Sequence, residues 1–515
     1  MRSRRDNRTN TRAEAKHLQR KTLISARPNR RITFIGILFL ALVISIIPSE
    51  SDLQSHPAID SSDSGSHHLS IEIDSNVIII SNALSLGFQL DYGSLGPFQN
   101  LSILRQLAEE GGFRLVRFFD GRQSPWVPTI MPCKHYDDTN QTGTYDWTVV
   151  DDLVGKIFEM GAEPLICLGI FRDGRVILPE GMATDLATGL PNPTSYASYC
   201  SEWVKHFKAK EWNVKFYEVI NEPWVYFGSG PNPDQTKLAY YMQLFAECRS
   251  RMKQEDQKVI VSFDYIWKKP VLDYWLTHNG PDVDSINFHK YDDWKIPSQY
   301  TDNEMFARAE ILGDSGSWYS INEAAEVWYQ HRGKRLLMIC SESNLNAAWS
   351  PTCGLRMQQM TGAVWLALVL RQEILSGVSY HVFFELADNF YNGSYGFGMV
   401  DSTNETALKP WYSYYVQETI GSNLKVGDIL VKSTVTSDDM RSLAWIHESM
   451  LTVLLICKTS ENRTVWFMGI KSPLSYEMIS SSTPWENPVV KEGIISGTEP
   501  IELKGYTIIL MRSNL

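Results

Sequence analysis

Two glutamates in this 515-residue sequence stand where an apolar run gives way to polar residues. Glu222 lies in "YEVINEPW", between Asn221 and Pro223, and Glu342 lies in "LMICSESN". Cleavage of a glycosidic bond needs two carboxyl groups with different roles. One group donates a proton to the leaving oxygen, and the other stays ionised to attack or stabilise the anomeric carbon. A turn at the end of a strand would explain either glutamate alone, so the fold must decide whether they act together.

Eight short apolar runs alternate with stretches of helical periodicity, such as residues 146–161. Continuous apolar strands separated by helices are typical of a parallel sheet that is covered on both faces. Eight such units in about 300 residues favour a (β/α)8 TIM barrel, and no phosphate-binding glycine-rich loop follows the first run. The runs span residues 84–92, 113–120, 163–171, 214–221, 258–266, 284–291, 335–343 and 377–386.

Polar side chains gather at the ends of these runs. One such residue is usually a helix cap or a turn former. In a closed barrel, however, all the parallel strands point their C-terminal ends at one mouth, so the polar residues are predicted to converge there. The set comprises Arg117, Asp120, Asn221, Glu222, Asp264, His289, Tyr291 and Glu342.

Several of these stretches resemble the motifs of clan A of the glycoside hydrolases. "YEVINEP" is similar to the strand-four motif of that clan, "LMICSESN" to the strand-seven motif, "NFHKY" to the strand-six His-x-Tyr and "VRFF" to the strand-two arginine. Residues 396–415 resemble the segment after strand eight in β-xylosidase, α-iduronidase and cellulase families. The resemblance covers roughly residues 84–420. It implies a retaining glycosidase that acts on a poly- or oligosaccharide with β linkages.

The resemblance also implies roles for individual residues. Glu222 is expected to be the general acid and then the base, and Glu342 the nucleophile that forms a glycosyl-enzyme. Arg117 and Tyr291 are expected to hydrogen-bond Glu342 and keep it charged. Asn221 is expected to bind the sugar 2-hydroxyl, a contact that strengthens in the transition state.

Other positions concern the shape of the sugar site. His289 is expected to line it. Where the clan commonly has a tryptophan on strand eight, this chain has "HVFFELAD", and Phe384 offers a smaller stacking face without a hydrogen-bond donor. Trp224, which follows the Asn-Glu-Pro motif, is a candidate for stacking on a sugar in an outer subsite.

The flanking segments predict further parts. The strongly basic residues 1–31 precede the uncharged residues 32–47, a pattern that favours a cytoplasmic N-terminus and a transmembrane signal anchor, with a cleaved signal peptide as the alternative. Residues 48–68 have the composition of a flexible linker. Residues 421–515 have the pattern of a small antiparallel β-sandwich, which residues 69–83 are expected to join. The catalytic domain is accordingly expected outside the cytoplasm, anchored at the cell membrane or secreted.

Composition narrows the alternatives. A net charge of −11 and a pI near 5.6 argue against a nucleic-acid partner. The seven cysteines form no C-x-x-C or Cys/His cluster, and we expect neither a metal nor a cofactor. Two other functions stay open: a barrel that binds glycans without cleaving them, and a metal-dependent barrel hydrolase. The sequence does not indicate the oligomeric state.

Overall fold

The computed structural model describes residues 69–515 with short gaps. The undescribed segments are residues 1–68, 92–93, 125–126, 173–174, 229, 265, 294–299, 314–318, 348–355, 389–395, 405, 469–472, 482–490 and 497–498. The predicted basic N-terminus (1–31), transmembrane anchor (32–47) and linker (48–68) therefore lie outside the described residues and stay predictions. None of the helices in the described part has the length and apolarity needed to cross a bilayer.

The described chain contains twenty-six strands and eleven helices. The strands are β1 (Leu69–Ser81), β2 (Ser85–Leu90), β3 (Leu115–Phe119), β4 (Arg122–Ser124), β5 (Val127–Ile130), β6 (Cys133–Asp137), β7 (Thr142–Tyr145), β8 (Glu163–Cys167), β9 (Phe171–Arg172), β10 (Arg175–Val176), β11 (Phe216–Glu218), β12 (Ile260–Asp264), β13 (Ser285–Asp293), β14 (Leu337–Asn346), β15 (Tyr380–Phe383), β16 (Ala387–Asp388), β17 (Val400–Asp401), β18 (Lys409–Pro410), β19 (Ile429–Val435), β20 (Met440–His447), β21 (Met450–Cys457), β22 (Arg463–Met468), β23 (Leu474–Ser480), β24 (Lys491–Ile495), β25 (Ile501–Leu503) and β26 (Thr507–Asn514). The helices are α1 (Leu95–Asn100), α2 (Ser102–Glu110), α3 (Thr148–Glu159), α4 (Pro193–Ala209), α5 (Trp224–Phe227), α6 (Gln235–Glu255), α7 (Lys269–Thr277), α8 (Asp302–Ala309), α9 (Ile321–Arg332), α10 (Met360–Ser376) and α11 (Tyr412–Asn423).

Eight of the strands close into a parallel barrel, in the order β11-β12-β13-β14-β15-β2-β3-β8. Each neighbouring pair is parallel. Each of the eight apolar runs identified in the sequence overlaps one of these strands, and the parallel strands close into a barrel, so the prediction of a TIM barrel is confirmed.

The helices around the barrel begin at side chains that satisfy their first backbone N–H groups. The Asn192 side chain accepts two such N–H groups at the start of α4, and Asp234 does the same for α6. Thr301 and Ser320 form capping boxes at α8 and α9. These local signals place the helices between consecutive strands.

The barrel interior is arranged in layers. Alternate residues of a strand face the same side. The bottom layer is a buried apolar cluster of Leu115, Leu165, Phe216, Ile339 and Val382. Two residues further along their strands, Arg117 follows Leu115 on β3 and Glu218 follows Phe216 on β11. A polar layer therefore lies directly above the apolar floor, on the side of the barrel mouth.

The C-terminal domain is a continuous sheet of nine strands, in the order β24-β23-β26-β21-β20-β19-β1-β22-β25. Strand β1 lies between β19 and β22, antiparallel to the first and parallel to the second. Among the described residues of 421–515 each strand pair is antiparallel, as predicted, whereas the parallel pairing of β1, which precedes the barrel, with β22 makes the complete sheet mixed. Apolar residues from all nine strands share one buried cluster, so the sheet curls around its own core.

The central strands of this sheet are apolar on both faces. On β21, Val453 and Leu455 belong to the core of the sheet, whereas Leu454 and Ile456 belong to the large core that includes the barrel helices. Helices α10 and α11 contact this second face. Because successive apolar side chains of β21 point to opposite faces, the strand packs into the core of the sheet on one side and against the barrel helices on the other.

Leu454→Ala tests this contact. We expect the free energy of unfolding to fall by about 2–5 kcal/mol, because the substitution leaves a cavity in a face buried against α10. Chemical denaturation followed by tryptophan fluorescence measures the change. Leu186→Ala is the matched control, since Leu186 is fully exposed and should change stability by less than about 0.5 kcal/mol. Equal effects of the two substitutions would contradict the packing described.

Candidate active site

Arg117 is the centre of the polar layer, and it is completely buried. Its Nε donates to Glu218 Oε2 at 2.7 Å, and its Nη1 donates to Glu342 Oε1 at 2.6 Å. Nη1 also lies 2.6 Å from Gln89 Oε1, and Nη2 donates to Asn221 Oδ1 at 2.7 Å. The guanidinium therefore links side chains from β2, β11, the loop after β11 and β14.

Glu342 is bound through both of its carboxylate oxygens. Arg117 occupies Oε1, and the Tyr291 hydroxyl donates to Oε2 at 2.8 Å. Burial alone would raise the pKa of Glu342, but His289, Arg117 and Tyr291 hold the pKa below its ordinary value. Glu342 is thus an ionised carboxylate in a site largely closed to solvent, with its side chain 9% exposed.

Glu222 is positioned by the backbone after β11. The strand ends at Glu218, earlier than the predicted run to residue 221, and Pro223 then precedes α5. Glu222 has φ of +45°, in the left-handed region that non-glycine residues rarely adopt. This reversal lets the side chains of adjacent Asn221 and Glu222 serve one site, which a regular strand would not permit.

His289 lies between three carboxylates. Its Nδ1 is 3.1 Å from Glu222 Oε1 and 3.5 Å from Glu342 Oε2, and its Nε2 is 3.2 Å from Asp264 Oδ2. Burial alone would lower the pKa of His289, but Asp264, Glu342 and Glu222 raise it to about 10. Burial also raises the pKa of Asp264 to about 7, against the opposing effect of His289. The imidazole is therefore cationic at neutral pH.

The two candidate carboxylates are close and unequal. One oxygen of Glu222, one oxygen of Glu342 and a ring nitrogen of His289 all lie within 4.8 Å of one another. The Glu222 side chain is 28% exposed and so is accessible to protons from solvent, unlike Glu342. The site therefore contains a buried carboxylate, Glu342, that is hydrogen-bonded through both oxygens, and a more accessible carboxyl group, Glu222.

The two aromatic candidates differ in how far their rings are exposed. Phe384 follows β15, and its ring packs edge-on against Tyr291 at 6.4 Å and Phe397 at 5.5 Å between centroids. It is buried, so little of its face is open to a sugar. Trp224 opens α5 two residues after Glu222 and is half-buried. Phe384 thus supports Tyr291, and Trp224 has the more accessible ring.

The structure adds Gln89 and Asn287, which the sequence prediction missed, and gives specific contacts to Asp264, which was predicted to lie at the mouth without a role of its own. Gln89 binds Arg117, and Asn287 donates to the Oε1 of Glu218. Asp264 contacts both His289 and the backbone of Glu222. The signal available in the sequence was a polar residue inside an apolar run: Gln89 in "LGFQL", Asn287 in "SINFH" and Asp264 at the end of "IVSFD".

Among the residues that the structure describes, two groups of side chains have the composition of metal ligands. Glu222, His289 and Glu342 form the first, within the site. Glu342 already binds the Arg117 cation at 2.6 Å, and both Arg117 and the cationic His289 repel a divalent ion. The second group is fully buried and consists of Cys340 on β14, Glu373 on α10 and His381 on β15, with 2.7 Å between His381 Nδ1 and a Glu373 oxygen. In each cluster a histidine Nδ1 lies within hydrogen-bond distance of a glutamate oxygen.

Comparison with known proteins supports the fold. No protein-family model matches the chain, and no curated protein matches it by sequence. A monomeric β-xylosidase from Caulobacter crescentus CB15 superposes with a TM-score of 0.59 at 16% identity, covering 86% of this chain and 99% of that one. An α-L-arabinofuranosidase from Thermotoga maritima, in an arabinose complex, gives 0.60 at 13% identity, covering 87% and 100%.

A GH30 endoxylanase from Clostridium papyrosolvens C71 superposes with a TM-score of 0.54 at 11% identity, covering 87% of this chain and 100% of that one. All three neighbours are glycoside hydrolases, and the shared region spans almost their whole length. At these identities the likeness establishes the fold, a TIM barrel with an attached β-domain. The roles of individual residues depend on the geometry of this chain.

Substitution of Arg117 tests the network. Arg117→Met leaves two carboxylates, Glu218 and Glu342, without their buried cation, and we expect a loss of about 3–5 kcal/mol of stability by urea denaturation. Adding Glu218→Gln should recover part of the loss, because one uncompensated charge is removed. Arg335→Met, at a side chain that is 74% exposed, is the control and should be nearly neutral. A double variant no more stable than Arg117→Met would argue against the buried ion pair.

Proposed function

We propose that the protein is a retaining glycoside hydrolase that cleaves O-glycosidic bonds of a poly- or oligosaccharide with β linkages. The observation that carries the proposal is the pair Glu222 and Glu342, with carboxylate oxygens within 4.8 Å and unequal partners. Carboxyl groups about 5–5.5 Å apart allow direct attack on the sugar, whereas a gap of about 6.5–9.5 Å admits a water and leads to inversion. The spacing therefore favours double displacement.

In the first half of the proposed reaction, Glu342 attacks the anomeric carbon. A bond forms between a carboxylate oxygen and that carbon, and the bond from the carbon to the glycosidic oxygen breaks. Glu222 gives its proton to the departing oxygen, so the leaving group departs as an alcohol. The depressed pKa of Glu342 supports its role, since the nucleophile must be ionised.

In the second half, a water replaces the leaving group. Glu222, now a carboxylate, takes a proton from the water, which attacks the anomeric carbon and displaces Glu342. Two inversions give net retention, and the enzyme returns to its starting state. Arg117 and Tyr291 bind the Glu342 carboxylate when it is released. Asn221, whose Oδ1 accepts a hydrogen bond from Arg117, would bind the 2-hydroxyl of the sugar.

The structural neighbours guide the choice of sugars to test. They include a β-xylosidase, an α-L-arabinofuranosidase and an endoxylanase. Pentosides of these kinds are therefore the first substrates in a panel, with β-glucosides as the hexose comparison. The half-buried Trp224 beside the acid provides an apolar ring on which a second sugar of a chain would stack.

Activity on an aryl-glycoside panel tests the assignment of the two glutamates. Glu342→Ala should lower kcat by about 10⁴- to 10⁶-fold, as removal of a covalent nucleophile does in other enzymes. Glu222→Ala should lower it by about 10²- to 10⁴-fold on substrates with poor leaving groups. Added azide should give an inverted glycosyl azide with Glu342→Ala and a retained one with Glu222→Ala. Glu326→Ala, at a half-exposed surface position, is the control; full activity of Glu342→Ala would sink the assignment.

The stereochemistry of the first product tests the mechanism separately. We expect the anomer released at early times to have the configuration of the substrate, as read by proton NMR before mutarotation. Retention follows from the short distance between the two carboxylates. An initial product of opposite configuration would instead require a water between Glu222 and Glu342.

A further inference from the structure

Asp264 is a buried carboxylate that the proposed reaction leaves without a role. It ends β12, and its side chain is fully buried beneath the barrel mouth. Its Oδ2 accepts the backbone N–H of Glu222 at 3.2 Å and lies 3.2 Å from Nε2 of His289. One oxygen atom thus joins the loop after β11 to β13.

The hydrogen bond from the Glu222 N–H to Asp264 affects the backbone conformation of Glu222. A non-glycine residue in the left-handed region is strained, and this conformation persists only where its surroundings enforce it. On one side of the turn, the Asn221 N–H donates to Gly169 O at 2.8 Å, and on the other the Glu222 N–H donates to Asp264. Asp264 therefore helps to hold the turn that directs Glu222 into the site.

The second contact bears on the imidazole of His289. With Nε2 against Asp264, Nδ1 faces Glu222 Oε1 at 3.1 Å. Among the described residues, the charged groups that face His289 include Asp264 from β12, Glu222 from the loop after β11 and Glu342 from β14, and Tyr291 lies two residues along its own strand. Asp264 is the foremost of the carboxylates that raise the pKa of His289.

We propose that Asp264 is a positioning residue for the acid–base function of Glu222. Its hydrogen bond with the backbone N–H of Glu222 orients the Glu222 side chain, and its contact with His289 keeps a cationic imidazole next to that side chain. A cationic imidazole bonded to Glu222 Oε1 stabilises the carboxylate that forms when Glu222 gives up its proton. This inference rests on the proposed function for its catalytic meaning. The contacts with His289 and the Glu222 backbone are independent of it.

Substrates with different leaving groups distinguish a role of Asp264 in proton donation from a purely structural role. Asp264→Asn should lower kcat/KM by about 10²-fold or more for phenyl glycosides, which need a proton donor, because that help is worth about 10²–10⁴. For 2,4-dinitrophenyl glycosides, whose leaving group needs little help, the change should stay within about threefold. His289→Asn should show the same dependence, and it serves as the second variant if Asp264→Asn does not fold.

Asp284→Asn is the matched control. Asp284 also accepts a backbone N–H from a barrel strand, that of Val261, and it pairs with Arg249 and Lys253 outside the site. Its substitution should lower stability without changing the dependence on the leaving group. An equal loss for Asp264→Asn on all leaving groups would overturn the proposal.

The titration of His289 gives a readout that needs no activity. Nitrogen NMR of the imidazole should show His289 protonated up to about pH 10 in the wild type and deprotonating at lower pH in Asp264→Asn. An unchanged titration would overturn the proposal. If the wild type cleaves no glycoside while the titration shifts as expected, the proposed function fails instead, and the control of His289 by Asp264 stands.

The same groups determine how stability varies with pH. His289 has a folded-state pKa above its ordinary 6.5, so its contribution is fully present below pH 6.5 and is lost as pH rises towards 10. The raised pKa of Asp264 acts in the same direction between about pH 3.8 and 7. Thermal unfolding of the wild type should therefore show both losses as pH rises, and Asp264→Asn should have a flatter profile.

Discussion

The placement of one buried cation, Arg117, governs the rest of the site. Inside a closed barrel, a carboxylate without a partner would cost several kcal/mol in desolvation. Arg117 contacts both Glu218 and Glu342, so two charges that could not be buried separately are buried together. This is possible only because β3, β11 and β14 bring their residues to one height above the apolar floor. The two glutamates can therefore stay charged inside the barrel only because the strand register places them beside Arg117.

The division of labour between the glutamates follows from the same cation. Glu342 receives Arg117 and Tyr291 and is held ionised, whereas Glu222 is reached by His289 and remains partly open to solvent. Two chemically identical side chains thus come to differ through their neighbours alone. That difference is what a reaction with one proton donor and one nucleophile requires.

Much of this arrangement could be predicted from the sequence, because it depends on local patterns. Each barrel strand is a continuous apolar run, and the polar residues at the strand ends converge through topology alone. The left-handed turn at Glu222, the early end of β11 and the contact of Asp264 with His289 could not be predicted. They depend on hydrogen bonds and ion pairs between residues far apart in the chain, and such contacts produce no periodic pattern in the sequence. The parallel pairing of β1 with β22 was missed for the same reason.

The balance of charge connects these features to the proposed reaction. In the network, the carboxyl groups of Glu218, Glu222, Asp264 and Glu342 meet the cations of Arg117 and His289. Burial and the neighbouring carboxylates raise the pKa of Asp264. Formation of an ester at Glu342 would remove one negative charge from beside Arg117 and His289. Loss of the Glu222 proton in the same half of the reaction would add one negative charge beside His289. The net charge of the site would therefore stay the same, and His289, which contacts both glutamates, would remain beside the negative charge as it moves from Glu342 to Glu222. The second half of the reaction reverses both changes.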